Sequence, residues 1–372
     1  MMILYATISL FIFYSILIIY YWQSWKKIPT FERMADATAI TKVSVIIPAR
    51  NEEKNIENLL KALHRQSYPM SLLEIIVIDD HSTDNTAGLV SNFPGVKLLQ
   101  LKEDSINSYK KKAVESGIRA ATGDLVVTTD ADCVPSPEWI STIVSFRDTT
   151  RAGFIVGPVV FTGDSNVVEM FQAMDFMILQ GITGAAVQEK MHSMCNGANL
   201  TYEKKLFDEV NGFAGIDHIA SGDDMLLMGK IAKKYPNSIH YLKSKNAIVS
   251  TQPMPTWKDF VNQRIRWASK STNYSDKKIA GVLLLVYLFN LSFLVLLVAG
   301  FWWQGYWIML AGLWVAKTVV ELPLMYSVAT FFGKGHLVKY FFLFQPIHIL
   351  YTVVAGLLGQ FGTYTWKGRR VK

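Results

Sequence analysis

Cysteine is scarce in this chain of 372 residues, which has only Cys133 and Cys195. Two cysteines are too few for the disulfide framework of a small secreted protein, and they lack the paired spacing of a zinc site. We therefore expect both to be reduced and to face the cytoplasm. Internal repeats and low-complexity segments are also missing, which argues against a repeat architecture.

Charge is missing from the opening run MMILYATISLFIFYSILIIYYW, which Lys26 and Lys27 soon follow. About 20 apolar residues are enough to span a bilayer. Because the run has neither a basic start nor a small-residue cleavage site, we expect a transmembrane helix over residues 1–25 and not a secretory signal peptide. The positive-inside rule then places the following residues in the cytoplasm.

Three more apolar stretches lie further along the chain, at about 281–303, 306–332 and 338–362. They predict a C-terminal membrane region over 279–372. The tail WKGRRVK would then lie outside, against the positive-inside rule. Either the last stretch is re-entrant or interfacial, or the rule fails at this end.

The remaining charges fit a membrane protein. The net charge of +7 is modest, and an anionic membrane face explains the basic clusters beside the apolar stretches better than nucleic acid does. Lys317 and Glu321 lie one helical turn apart inside an apolar stretch. An ion pair that faces other helices would explain why two charged residues occur inside an apolar stretch. A role in holding an acceptor headgroup is the alternative.

The middle of the chain alternates short apolar runs with helical patterns. VSVIIP, LEIIVID, VKLLQL and DLVV are typical of strands, and a helical pattern follows most of them. The helix after LEIIVID should be capped by Ser82 or Thr83. This alternation predicts a mainly parallel α/β sheet in a domain over 42–275, after a linker over 26–41.

Four acids, Asp79, Asp80, Asp130 and Asp132, come directly after two of these strands. Ligands of parallel sheets bind at the carboxyl ends of the strands. Residues two apart in an extended chain point the same way, so Asp130 and Asp132 in TTDADC can face one ligand. Their hard oxygen atoms suit Mg²⁺ or Mn²⁺. An acidic turn that binds no ligand would have the same sequence.

Two further motifs carry charge at the ends of helices. In SGDDMLLMGKIAKKY, one carboxylate of the Asp223–Asp224 pair is enough to cap the helix, so the pair could also supply a general base. In QRIRW, Gln263, Arg266 and Trp267 share one helical face. An interfacial helix explains the arginine and the tryptophan but not the glutamine.

These motifs resemble those of the inverting, membrane-bound family 2 glycosyltransferases, a group that includes cellulose, chitin and hyaluronan synthases and ceramide glucosyltransferase. VSVIIPARNEE, VIDDHSTD, TDADC, GDDMLL and QRIRW carry the resemblance, which covers about residues 43–270. It implies a Rossmann-like GT-A domain with a mainly parallel sheet. That domain would lie in the cytoplasm, flanked by transmembrane helices in the cell membrane.

The resemblance also implies the site residues. The nucleotide-sugar would meet Pro48, Arg50, Glu52, Asp80, Lys110 and Asp130, with Asp80 on the uracil. Lys110 matches a family lysine in KKKAVESG, where Glu115 replaces the usual Asn. Asp132 would bind the divalent metal, Mg²⁺ or Mn²⁺. The acceptor side would contain Gly197, Asn199 and Asp223, and the catalytic set would be Asp224 as base with Gln263, Arg266 and Trp267.

The implied reaction moves a sugar from a nucleotide-sugar, with a UDP-sugar expected, to a hydroxyl of a lipid or lipid-linked acceptor. A processive polysaccharide synthase is the alternative, although three C-terminal segments are few for a polymer channel. A membrane nucleotidyltransferase would also use strand-end acids and Mg²⁺, but it would release pyrophosphate. The expected partners are the donor, a lipid or saccharide acceptor and membrane lipids, without nucleic acid.

Overall fold

The structure, a computed structural model, describes residues 2–33, 40–104, 106–192, 194–219, 222–269, 277–361, 364–366 and 369–371. Part of the predicted linker and the predicted end of the domain at residue 275 lie outside these ranges. The chain forms two compact units. The α/β unit contains Ile28–Thr162, Ala186–Gln252 and Thr365–Lys372. The helical unit contains Met1–Lys27, Gly163–Ala185 and Pro253–Tyr364.

Two sheets form the framework of the α/β unit. Its strands are β1 (Val43–Ala49), β2 (Leu73–Asp79), β3 (Val96–Gln100), β4 (Leu125–Thr128), β5 (Cys133–Pro135), β6 (Phe154–Val156), β7 (Val159–Phe161), β8 (Leu200–Glu203), β9 (Ile239–Tyr241) and β10 (Val249–Thr251). The main sheet has the order β3-β2-β1-β4-β8-β6-β9, and the small one β5-β10-β7. In the main sheet β8 alone runs antiparallel to its neighbours β4 and β6.

The helices are α1 (Met2–Lys27), α2 (Ile56–His64), α3 (Thr86–Ser91), α4 (Tyr109–Ala120), α5 (Trp139–Thr150), α6 (Val167–Gln188), α7 (Lys204–Glu209), α8 (Met225–Lys234), α9 (Trp257–Ala268), α10 (Lys277–Ala299), α11 (Gly305–Phe331) and α12 (Phe341–Phe361). Short strands β11 (Tyr364–Trp366) and β12 (Arg369–Val371) come last. Helices α2 to α5, α7 and α8 belong to the α/β unit.

The four predicted strands are β1 to β4, and the mainly parallel sheet is confirmed. The β-branched residues of β1, β2 and β4 suit strands buried on both faces, and Val45 and Ile46 are fully buried. Strand β3, at the edge of the sheet, is only partly buried. The predicted cap at Ser82 or Thr83 is wrong, because α3 begins at Thr86. Both residues bond instead to the neighbouring loop: Ser82 Oγ accepts from the Asn51 N–H at 3.0 Å.

Five helical segments among the described residues are long and apolar enough to cross a membrane: α1, α6, α10, α11 and Gly335–Gln360. Four of them were predicted from the sequence. The fifth, α6, groups with the helical unit together with α9, although the predicted domain over 42–275 contains both. The domain boundaries themselves stay a prediction.

The predicted ion pair inside the helical unit is confirmed. Lys317 Nζ lies 2.6 Å from Glu321 Oε1 and donates at 2.6 Å to Gln345 Oε1. The Gln345 amide and the Tyr14 hydroxyl both donate to the Glu321 carboxylate. Because hydrogen bonds from three helices satisfy the two charges, the pair can remain buried without a ligand.

Candidate functional site

The loops after β1 and β2 are joined by hydrogen bonds at the end of the sheet. Arg50 Nη1 donates to the carbonyl oxygens of Asp80 at 2.7 Å and His81 at 2.9 Å. The Glu52 N–H donates to Thr86 Oγ1 at 2.8 Å, and the Glu52 side chain is almost buried. Half-buried Pro48 is the last residue but one of β1. Residues predicted to meet the nucleotide therefore lie in or beside these two joined loops.

The acid pair at the end of β2 is buried. Asp80 is 3% exposed, and its Oδ1 lies 3.0 Å from His81 Nδ1. Asp79 is 6% exposed, and its Oδ2 accepts from the Ser82 N–H at 3.4 Å. The other oxygen of Asp79, Oδ1, is buried and has no hydrogen-bond partner within the described ranges. A buried carboxylate oxygen without a partner is costly unless a ligand donates to it.

Lys110 joins the end of β4 to the acid pair before α8. Its Nζ lies 2.7 Å from Asp130 Oδ1 and 3.4 Å from Asp223 Oδ2. Burial opposes the charge on Lys110, but Asp130, Asp223 and Asp224 outweigh it and raise the pKa of Lys110. The Lys110 side chain remains 25% exposed, so this cation is open to a ligand. The structure thus brings three predicted site residues, Lys110, Asp130 and Asp223, into one cluster.

The three adjacent lysines of α4 have different partners. Lys111 is 1% exposed and its Nζ donates to the carbonyl oxygens of Ile216, at 2.9 Å, and Ile219. Lys112 pairs with Glu103 and with Glu115, the residue that replaces the family's Asn. Lys110 lies beside Asp130 and Asp223, and its role towards the nucleotide stays a prediction. Lys111 was not predicted as a site residue, yet it holds the segment that leads to Asp223.

Gly197 lies between the end of β4 and the acid pair. Its carbonyl oxygen accepts from Thr128 Oγ1 at 3.0 Å, and its N–H donates to Asp224 Oδ2 at 3.3 Å. Asp224 Oδ1 accepts from the N–H of Met225, so Asp224 caps α8 as the capping interpretation predicts. Gly222, just before the pair, has φ +81, which favours glycine. These bonds fix the Asp224 carboxylate beside the Lys110 cluster.

Asn199 is structural in this fold. It is 1% exposed; its Nδ2 donates to the carbonyl oxygens of Pro158 and Ala247, and its Oδ1 accepts from Trp139 Nε1. With both amide atoms used and no exposed surface, the side chain is not available to an acceptor. The Asn199 side chain is therefore held inside the fold, whereas Gly197 lies beside Asp224 and Asp223 lies beside Lys110. The acceptor role of all three residues stays a prediction.

Asp132 lies in the turn between β4 and β5 and is partly exposed. The Cys133 thiol donates to Asp132 Oδ1 at 3.7 Å. Within the described ranges, no three His, Cys, Asp or Glu side chains are grouped so that they could hold a metal by themselves. An ion at Asp132 would complete its shell with other oxygen ligands, such as water or a substrate.

The remaining predicted residues belong to the helical unit. Gln263, Arg266 and Trp267 lie on α9, and all three side chains are partly exposed. Between them in the sequence, Arg264 is 4% exposed and pairs with Asp175 of α6. No sequence motif indicated Arg264, because its partner is far away along the chain.

Comparisons with known proteins agree with these motifs. Residues 44–211 match the family model described as Glycosyl transferase family 2. A probable glycosyltransferase of Bacillus subtilis, YdaM, is 29% identical over 236 residues, which cover 62% of this chain and 55% of YdaM. An undecaprenyl-phosphate 4-deoxy-4-formamido-L-arabinose transferase of Yersinia enterocolitica is 32% identical over 163 residues, covering 41% of this chain and 48% of the relative. The chain spans about half the length of these relatives.

A solved structure shows the same fold. The mannosyltransferase PcManGT from Pyrobaculum calidifontis, in complex with GDP-Man and Mn²⁺, has a TM-score of 0.62 and 20% identity. The likeness covers 96% of this chain and 98% of that one. It confirms the predicted fold class, an α/β domain of the GT-A type with helices that are apolar enough to cross a membrane.

Proposed function

We propose that this chain, whose residues 44–211 match the model of Glycosyl transferase family 2, is an inverting hexosyltransferase of the cell membrane. It moves a sugar from a nucleotide-sugar, with a UDP-sugar as the first candidate, to a lipid or lipid-linked acceptor. The observation that carries this proposal is the Lys110 cluster, in which one cation meets Asp130 of the donor side and Asp223 of the acceptor side.

The pocket after β1 and β2 supports a nucleoside at this end of the sheet. Asp79 Oδ1, which has no hydrogen-bond partner among the described residues, would accept from the N–H of a base or from a ribose hydroxyl. Asp80, beside it, is held by its neighbours and keeps its proposed role towards the uracil. Lys110 would offer its ammonium group to the negatively charged donor.

The donor set fits a divalent cation that is shared with the substrate. Asp132 would hold the ion and Asp130 would contact the ribose or sugar. Mg²⁺ and Mn²⁺ accept one or two carboxylates and complete their shells with phosphate oxygens and water, which agrees with the lack of a self-contained ligand set among the described residues. When bound, such an ion offsets the charge that develops on the leaving diphosphate.

The acid pair before α8 supplies the proton acceptor in this proposal. Asp224 takes the proton of the acceptor hydroxyl as that oxygen forms its bond to the anomeric carbon. The bond from this carbon to the diphosphate oxygen breaks on the opposite face, and the nucleoside diphosphate leaves with the electron pair. Since bonds to Gly197 and Met225 fix the Asp224 carboxylate, little reorganisation is needed. The closing role implied for Gln263, Arg266 and Trp267 stays a prediction.

Membrane-length helices and the Yersinia relative, named as an undecaprenyl-phosphate transferase, support an acceptor that is anchored in the membrane. We place the α/β unit in the cytoplasm, where nucleotide-sugars are made, because Lys26 and Lys27 form the basic last turn of α1. Processive polymer synthesis remains the second candidate, and the length of the product separates the two.

Incubation of the purified full chain with UDP- and GDP-sugars, Mn²⁺ and membrane lipid extract tests the proposal by mass spectrometry. A lipid that gains one hexose, together with released nucleoside diphosphate, is expected. Products with many added sugars would favour a synthase. Pyrophosphate release from a nucleoside triphosphate would favour a nucleotidyltransferase, and the absence of any sugar transfer from this panel would contradict the proposal.

A further inference from the structure

Arg264 contacts two of the three motif residues on α9. Its Nη1 donates to Gln263 Oε1 at 2.7 Å, so the guanidinium holds the amide of its neighbour. Its Cζ lies 4.3 Å from the ring centroid of Trp267, and 4.6 Å from that of Phe260 on the preceding turn. A guanidinium over an aromatic face is attracted to the ring, and the contact restricts the ring's orientation.

The same guanidinium is anchored to two other helices of the helical unit. Its Nε and Nη2 donate to Asp175 Oδ2 of α6 at 3.0 and 2.6 Å. The other oxygen of Asp175 accepts from the Tyr351 hydroxyl of α12. The side chains of Arg264 and Asp175 are only 4% and 2% exposed, so solvent screening of the pair is weak.

We propose that Arg264, held by Asp175 and Tyr351, is a positioning residue that fixes Gln263 and Trp267 for sugar transfer. The inference rests on the proposed function, since it is that function which gives the two motif residues a task. A guanidinium is suited to this position because its planar fork donates to Asp175 and Gln263 together while its face covers Trp267. A lysine ammonium could keep the charge beside Asp175 but could not make all three contacts.

Arg264→Lys is therefore the informative variant, because it keeps a cation beside the buried Asp175 carboxylate and leaves no unpaired charge there. The matched control is Lys258→Arg, a substitution at an exposed position of the same helix. We expect kcat to fall about 10- to 100-fold in Arg264→Lys, the cost of misplaced groups, while KM for the donor changes less than about 3-fold. Lys258→Arg should leave both constants unchanged. Asp175→Asn should also lower kcat, as Arg264→Lys does.

A second readout follows the position of Trp267 without any substrate. The full chain is labelled with 5-fluorotryptophan, and the ¹⁹F resonance of Trp267 is assigned by its loss in Trp267→Phe. We expect this resonance to move in Arg264→Lys and Asp175→Asn but not in Lys258→Arg. Unchanged kcat or an unmoved resonance in Arg264→Lys would overturn the positioning role. Absence of transfer by the wild-type protein would instead overturn the proposed function, and the ¹⁹F comparison would still test Arg264.

Discussion

Replacement of Gly197 by alanine tests whether the Lys110 cluster is the reaction site, because it adds one methyl group and changes no charge. A Cβ at this position would lie 3.2 Å from Asp223 Oδ2 and 3.3 Å from Lys110 Nζ. Both distances are shorter than the ~3.5–4.0 Å of a relaxed contact, so the two groups must each move by a few tenths of an ångström. Misplacement by about 1 Å can cost 100-fold in rate, so a loss of about 10-fold in kcat is expected.

The fold should tolerate this change. Alanine reduces the freedom of the unfolded chain, which offsets part of the crowding, so the free energy of unfolding should change by less than about 1 kcal/mol. Gly229→Ala is the matched control: it lies within α8, and nothing is within 4 Å of the added Cβ. That variant should keep full activity and gain about 0.5–1 kcal/mol. Initial rates of sugar transfer test the expected loss of activity, and thermal unfolding in detergent tests the expected stability. Full activity in Gly197→Ala would refute the assignment of the site.

Three further predictions follow from the same structure. Lys111→Met should lower the free energy of unfolding by about 2–3 kcal/mol because two carbonyl oxygens lose their donor, whereas Lys112→Met, at a side chain that is 30% exposed, should cost less than about 1 kcal/mol; equal losses in thermal unfolding would contradict this. Removal of divalent metal with EDTA should stop transfer, and Mn²⁺ or Mg²⁺ should restore it; transfer that persists in EDTA argues against a metal at Asp132. In a Cys133→Ala, Cys195→Ala background, Gln304→Cys should react with an impermeant maleimide on intact cells and Lys54→Cys only after lysis; the reverse pattern would invert the proposed orientation.

Strand positions could be read from the sequence because β1 to β4 are short runs rich in apolar residues, and most residues of β1, β2 and β4 are β-branched. The acids at the ends of β2 and β4 were predictable for the same reason, since the carboxyl ends of parallel strands meet at one edge. Helix α6 was missed as a membrane-length helix because Glu169 and Asp175 interrupt its apolar residues.

Roles that depend on distant partners could not be read from the sequence. Residue type does not distinguish the three consecutive lysines Lys110, Lys111 and Lys112. Their separate roles follow from the direction in which each side chain points from α4. Asn199 matched a motif on the acceptor side, but its amide bonds to backbone carbonyls that come from elsewhere in the fold. For Lys110, Lys111 and Asn199, the contact that determines the role joins residues that are far apart in the sequence.

The most direct test of the central claim is the single-turnover rate of sugar transfer in Asp224→Asn. Asparagine caps a helix about as well as aspartate, so α8 and the site should keep their structure. We predict that the donor dissociation constant changes less than about 3-fold while the rate falls by about 10²–10⁴-fold, the usual contribution of a general base. A normal rate in this variant would show that Asp224 is not the base and would contradict the proposed mechanism.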